Sequence, residues 1–233
     1  MLTIRIPGIV SLVVNSLQAF EAEGRALVQV LRLSSEVDFT RVTNCPPWTL
    51  SELVVHMAGS IRLGEFVDAL PDAGLKAVAD YYRRPERDSI EYRSDNVRQT
   101  QEAAGRLLAT RAATDCFLEV FGATCERLAG MDLQRSVMIN GVGPMSLGDW
   151  LTTRVIALAA HGLDVAITLN RPAWTTAEAH RIMRPVFAAL LAADPPSIWD
   201  DHRLLSAATG RIPLTEADLS ALGPQARRFP LLS

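Results

Sequence analysis

Residues 150–164 read WLTTRVIALAAHGLD, and the fold turns on how that stretch coils. Wound as a helix, it lines up Arg154, Ala157, His161, Asp164 and Thr168 at i, i+3 and i+4 steps on one stripe. Val155, Ile156, Leu158, Ala159 and Leu163 cover the remaining circumference, as a core helix requires. A cation, an imidazole and a carboxylate thus share one line in an apolar segment. Polar groups there are costly unless they pair with something or bind something. Two readings stand: surface charges beside a satisfied core histidine, or a built site.

A second stretch bears on the choice. Residues 44–56 read NCPPWTLSELVVH, where Thr49-x-x-Glu52 is a capping box that starts a helix directly after two prolines. His56 lies about two turns in, on the same face as Glu52 and Ser60. Two apolar helices, far apart in sequence, therefore each carry one inward-capable histidine near the middle. In a helical bundle that is how a metal site or an acid/base site is made.

The remaining elements follow from periodicity. Leu12, Leu17, Phe20, Leu27, Val30 and Leu31 predict a first long helix over 9–34, with Glu21, Glu23 and Arg25 outside. The second runs over about 50–69, stopped by Pro71. Residues 71–96 are the most polar part, a long connection with one short helix over 76–83, and a candidate lid. A third helix spans about 97–129, with Leu107, Leu108, Phe117, Leu118, Phe121 and Leu128 on its apolar side. Asn140-Gly141 signals a hairpin, closed by Gly143-Pro144, and Ser146-x-x-Asp149 caps the fourth helix. Beyond Asn170, Thr175-x-x-Glu178 opens a helix over about 176–193 and Thr215-x-x-Asp218 a last one. That tail is too small for an independent core and is expected to pack on the bundle and wall its pocket. The fold class is all-α: a four-helix bundle (1–170) with a long connection between helices 2 and 3, and a small helical C-terminal extension (171–233).

Composition bounds the function. The chain has 233 residues, 48% hydrophobic and 21% charged, with a net charge of -3, so it reads as an ordinary globular protein with no nucleic-acid footprint. Three cysteines cannot all pair, and Cys116 and Cys125, nine steps of about 100° apart on one helix, face opposite ways. Cys45 could face the same pocket mouth as Trp48, or be a small buried hydrophobe. With no targeting segment and nothing approaching a membrane span, the expected location is cytoplasmic, as a monomer or homodimer. His180 and His202 fall at helix surfaces or ends and read as non-ligands. Arg211, in the tail, could clamp a carboxylate or stay on the surface.

The segments CPPWTLSELVVHMAG (45–59), MSLGDWLTTRVIALAAHGLD (145–164) and GRIPLTEADLSALGPQARRFPLLS (210–233) resemble the DinB-like family, in its mycothiol-dependent maleylpyruvate isomerase branch. Lys76 is the only lysine among 23 basic residues, a coding bias that fits the GC-rich genomes of mycothiol-making actinobacteria. The resemblance implies a four-helix bundle binding a divalent metal, commonly zinc, through a histidine on the second helix and Glu-x-x-x-His on the last. His56 and His161 match the two histidine ligands, while the glutamate position falls on Ala157. Asp164 or Glu52 would then have to replace the carboxylate, or a cofactor thiolate complete the shell. The implied partners are mycothiol and a small electrophilic metabolite. The candidate catalytic residues are His56, His161, Arg154 and Asp164, with candidate cofactor contacts at Trp48 and Arg211. Three functions remain open: a metal-assisted, mycothiol-dependent transferase or isomerase; a metal-free enzyme of natural-product tailoring using His56 and His161 as acid and base; and a non-catalytic small-molecule-binding bundle.

Overall fold

Four long apolar helices form the framework: α1 (Pro7–Arg32), α3 (Leu50–Ile61), α6 (Ala112–Ala129) and α7 (Leu147–Leu169). The computed structural model describes residues 7–70 and 74–232, with side chains from Ser16 onward, Asp88 excepted. The expected contribution of Leu12 and the stop at Pro71 lie outside that range. α1 packs on α6 and α7, and α3 packs on those same two helices from the other side, so each helix has two neighbours. Phe20, Leu31, Leu53, Met57, Phe117, Leu151 and Val155 are fully buried between them. Among the described residues α7 is the one helix long and apolar enough to cross a membrane, but 72% of its apolar window is buried inside the bundle.

Caps set the starts of these helices where the sequence places them. Thr49 and Glu52 form both halves of their box, and Ser146 accepts from the Asp149 backbone N–H at 3.0 Å. α3 ends earlier than expected, at Ile61. Thr124 and Arg127 of α6 donate to the Ile61, Leu63 and Gly64 carbonyls, which satisfies the groups a continued helix would have used. The chain then runs extended along the hairpin, where Val67 and Ala69 hydrogen-bond to β1 (Ser136–Ile139). β1 pairs antiparallel with β2 (Gly143–Ser146) from Ile139 opposite Gly143 outward. The loop is thus Asn140–Val142, and Gly141 takes the left-handed backbone (φ +69°) that it requires.

The third helix is broken in two, contrary to the sequence expectation. α5 (Ile90–Ala104) stops at Gly105, and α6 begins at Ala112. The intervening turn is docked from outside: Ser51 donates to the Thr110 carbonyl at 3.0 Å, and the Thr110 hydroxyl donates to Glu36 of α2 (Glu36–Phe39) at 2.6 Å. Leu108, assigned to the apolar stripe, is fully exposed on that turn. α5 starts seven residues earlier than the expected helix and packs on α3, so much of the polar connection is helical. Its remainder holds the expected short helix, α4 (Val78–Tyr82).

The C-terminal segment contributes α8 (Ala177–Leu191), α9 (Asp201–Ala208) and α10 (Glu216–Leu222). α8 lies on α1 and α7, and Ile182, Phe187, Leu191 and Leu205 join the same continuous core as the bundle. Its N-cap is Thr176 and not Thr175. The Thr176 backbone N–H and hydroxyl both donate, at 2.9 Å, to Glu23 of α1. Glu23, expected outside, is buried for this purpose. Trp199 donates its indole N–H to Asp218 at 2.6 Å, which also pairs with Arg203 and closes the Thr215 capping box.

Candidate functional site

α7 is buried at seventeen of its positions; Arg154, Ala157 and His161 are among the few that are not, and all three face one cavity. The stripe of the sequence is therefore the wall of a pocket. The cavity has a volume of about 530 Å³. α3 contributes His56 to it, α4 contributes Tyr81 and Tyr82, and the tail contributes Thr209, Arg211 and Leu232. The opposite wall is α5, through Tyr92, Asn96, Gln99 and Thr100. No aspartate or glutamate is among the described residues lining it.

The two histidines meet. Their rings are edge to face with centroids 5.2 Å apart. Trp48 lies behind His56, ring centroids 4.4 Å apart, and is buried without lining the cavity. The Thr100 hydroxyl is 3.4 Å from His56 Nδ1. Burial above all, then the neighbouring His161 and Arg154, pulls the His56 pKa down to about 3, so this ring is neutral at physiological pH.

His161 is held differently. Its Nδ1 donates to Asp164 Oδ2 at 2.9 Å. Asp164 is fully buried and accepts three more bonds: from Arg211 Nε at 3.0 Å, Arg211 Nη2 at 2.6 Å and the Cys45 thiol at 3.0 Å. Burial pushes the Asp164 pKa up, but its His161 and Arg211 bonds outweigh that and hold it well below the ordinary carboxylate range. The same burial, with Asp164 beside it, pushes the Cys45 thiol up to about 12. Cys45 is therefore a protonated donor. Arg211 is neither a surface residue nor a free clamp. It lines the cavity and forms a bidentate ion pair with Asp164 there, with its Nη1 on the Thr209 carbonyl at 2.7 Å.

These contacts decide whether the metal implied by the resemblance fits. Cys45, His161 and Asp164 bring ligand atoms within 4.8 Å of one another. Arg211, however, already neutralises the carboxylate, and its guanidinium lies beside the Cys45 sulfur as well, with Nη2 3.9 Å away. Glu52 is engaged in its capping box through Oε2, and Ala157 offers no oxygen. Two imidazoles without a free anionic oxygen do not make a ligand set for a divalent cation.

Arg154 completes the site. Its Nε donates to the Thr153 hydroxyl and Nη1 to the Ser60 carbonyl, each at 3.0 Å, while Nη2 donates to the Tyr81 hydroxyl. The Tyr82 hydroxyl donates to the Thr153 carbonyl at 3.1 Å. Neither tyrosine nor the α5 wall was singled out from sequence. Two adjacent aromatics, Tyr81-Tyr82, in the most polar part of the chain were the available signal.

The sequence model of the mycothiol maleylpyruvate isomerase N-terminal domain matches residues 18–166. Crystal structures of mycothiol-dependent maleylpyruvate isomerase, one of them a histidine-to-alanine mutant, match with TM-scores of 0.52 and 0.51. Each is 12% identical to this chain, over 77% of it and 69% of the matched structure. That identity shows the DinB-like fold alone. No curated protein matches.

Proposed function

The chain belongs to the mycothiol maleylpyruvate isomerase N-terminal domain family, and from that premise we propose a mycothiol-dependent transferase or isomerase acting on a small electrophilic metabolite in the cavity between α3, α5 and α7. The single observation that carries this reading is the Asp164–His161 pair at the cavity wall. Asp164 fixes the Nδ1–H tautomer of His161, which leaves Nε2 with a lone pair for a proton from the pocket. Mycothiol, when bound, supplies a thiol sulfur that adds to the electrophilic carbon. His161 takes the thiol proton at Nε2 and returns it when the reaction is over. Asp164 is a positioning residue, kept ionised by Arg211. The neutral His56 ring offers a hydrogen bond to bound thiol or substrate, and Trp48 fixes its plane from behind.

The cavity suits a large polar cofactor, since α5 faces it with phenol, amide and hydroxyl groups that bind polyols without regard to charge. No step runs through a metal, because the donors around His161 do not fit one. Three free cysteines and thiol chemistry both fit a reducing, cytoplasmic setting.

The test is thiol consumption by the full-length protein with mycothiol and a panel of conjugated carbonyl compounds. Acceleration over the protein-free rate is expected, with His161→Gln slower by roughly 10²-fold or more. No acceleration with any member, or an undiminished rate for His161→Gln, would overturn the reading.

A further inference from the structure

The Arg154 guanidinium is a cation that meets no counter-ion among the described residues of its pocket. Its three described partners are neutral oxygens, and no carboxylate pairs with it among the described residues. A guanidinium has five N–H donors, so two remain. The other cations at this cavity are differently placed. Arg211 is neutralised by Asp164, and Arg87 stacks over the Tyr81 and Tyr82 rings at 5.5 and 5.2 Å.

Tyr81 supplies the second observation. It is more than nine-tenths buried, it lines the cavity, and its oxygen already accepts from Arg154. Its own O–H has no acceptor among the described residues. A buried hydroxyl left without an acceptor costs free energy comparable to a lost hydrogen bond. The Arg154 guanidinium also lies over the Tyr81 and Trp150 rings, 5.1 and 5.4 Å from their centroids, which fixes its plane. A preorganised planar cation and an unspent phenol donor, side by side in a cavity with no acid among its described lining residues, match a carboxylate in charge, shape and donor count.

We infer that Arg154 and Tyr81 form an anion subsite of this cavity, which binds a carboxylate group of the substrate and supplies, as a fixed guanidinium, the positive charge that a bound metal would otherwise bring. The inference rests on the proposed function only in taking this cavity as the substrate site, and what it adds is which residues of this chain receive the anion. Ala157 is part of the arrangement. It follows Arg154 at i+3 on the same cavity face, and a carboxylate there would pair with the guanidinium.

The test uses benzoate and benzamide, which have nearly the same shape and differ in charge, titrated calorimetrically into the full chain freed of metal ions over a chelating resin. Benzoate is expected to bind at least about tenfold more tightly than benzamide, equivalent to about 1.4 kcal/mol. Arg154→Met and Ala157→Glu should each abolish that preference, and Tyr81→Phe should reduce it. Arg154→Lys, which keeps the charge but not the fork, should retain part of it. Equal binding of the two probes, binding of neither, or a benzoate preference that appears only when zinc is added back would overturn the inference. So would a preference that survives in folded Arg154→Met or Ala157→Glu. Should both of those variants fail to fold, the comparison on the unmodified chain still decides whether the cavity selects anions, and Tyr81→Phe decides where. Thiol turnover plays no part in this readout, so failure of the mycothiol reading is scored separately by the thiol-consumption assay.

Discussion

Replacing Asp164 by Asn should be among the most damaging single changes in this chain, and the size of the loss follows from its surroundings. The carboxylate is fully buried and accepts two bonds from Arg211, one from His161 and one from Cys45. Asparagine keeps one acceptor oxygen but removes the charge, leaving the largely buried Arg211 guanidinium without an anion. Breaking a buried pair from one side costs about 3–5 kcal/mol, a large part of the 5–15 kcal/mol that holds a typical domain together. Arg211→Met should cost a similar amount, by stranding the carboxylate. The double variant Asp164→Asn with Arg211→Met should lose clearly less than the sum of the two, since neither charge is then left alone. Urea unfolding of the four proteins at pH 7 gives the cycle directly. Because the folded carboxyl titrates below its ordinary value of 3.8, this stability is fully present above that value and is lost only as pH falls beneath it. A loss under about 1 kcal/mol for Asp164→Asn, or strict additivity in the double variant, would refute the buried-pair account.

Glu23 should show the opposite pH behaviour. Burial above all raises its pKa above the ordinary 4.5, against the lowering effect of the Thr176 bonds, so the folded state binds more protons in the window above 4.5 and stability falls as pH rises through it. Glu23→Gln keeps an oxygen for Thr176 and should flatten that slope, gaining more at pH 8 than at pH 5 in urea unfolding; a larger loss at pH 8 would contradict the sign. Gly24→Ala should destabilise by about 1–3 kcal/mol, because its Cβ would sit 2.2–2.8 Å from Phe121 ring carbons. Thermal unfolding of Gly24→Ala with and without Phe121→Leu checks this, and an unshifted midpoint for the single variant would show that the ring moves aside freely.

What was legible in the sequence was local or periodic. The Thr49–Glu52 box, the Ser146 cap and the Asn140-Gly141 turn each involve residues within a few positions of one another, so their geometry is encoded where it is read. The stripe through Arg154, Ala157 and His161 was legible because helical periodicity alone decides which side chains share a face. Its partner His56 followed from a second helix of the same kind. The pairings that settle the chemistry were not legible, because they join distant residues. Arg211 is 47 positions from Asp164, and Cys45 is 119. The break between α5 and α6 was hidden for the same reason: Ser51 and Glu36 hold that turn from elsewhere in the chain. Glu23 looked like one more charge on an outer face, because its role lies in capping a helix 153 residues away.

One position links two features of the cavity that are otherwise separate. Residue 157 sits one turn before His161 and one turn after Arg154, so its side chain is within reach of both. A carboxylate there would complete a ligand set with His56 and His161, and the same carboxylate would neutralise Arg154. Alanine does neither. Among the described residues the histidines are then without a free anionic co-ligand, and the guanidinium is without an internal anion. The cavity therefore keeps a positive pole, but a permanent one that no chelator can remove. Asp164, whose carboxylate lies beside His161, is committed to Arg211. It stays under His161 as an orienting group and cannot quench the pole at Arg154. The loss of a metal-type ligand and the gain of an anion-receiving wall are, on this geometry, two consequences of the same methyl group.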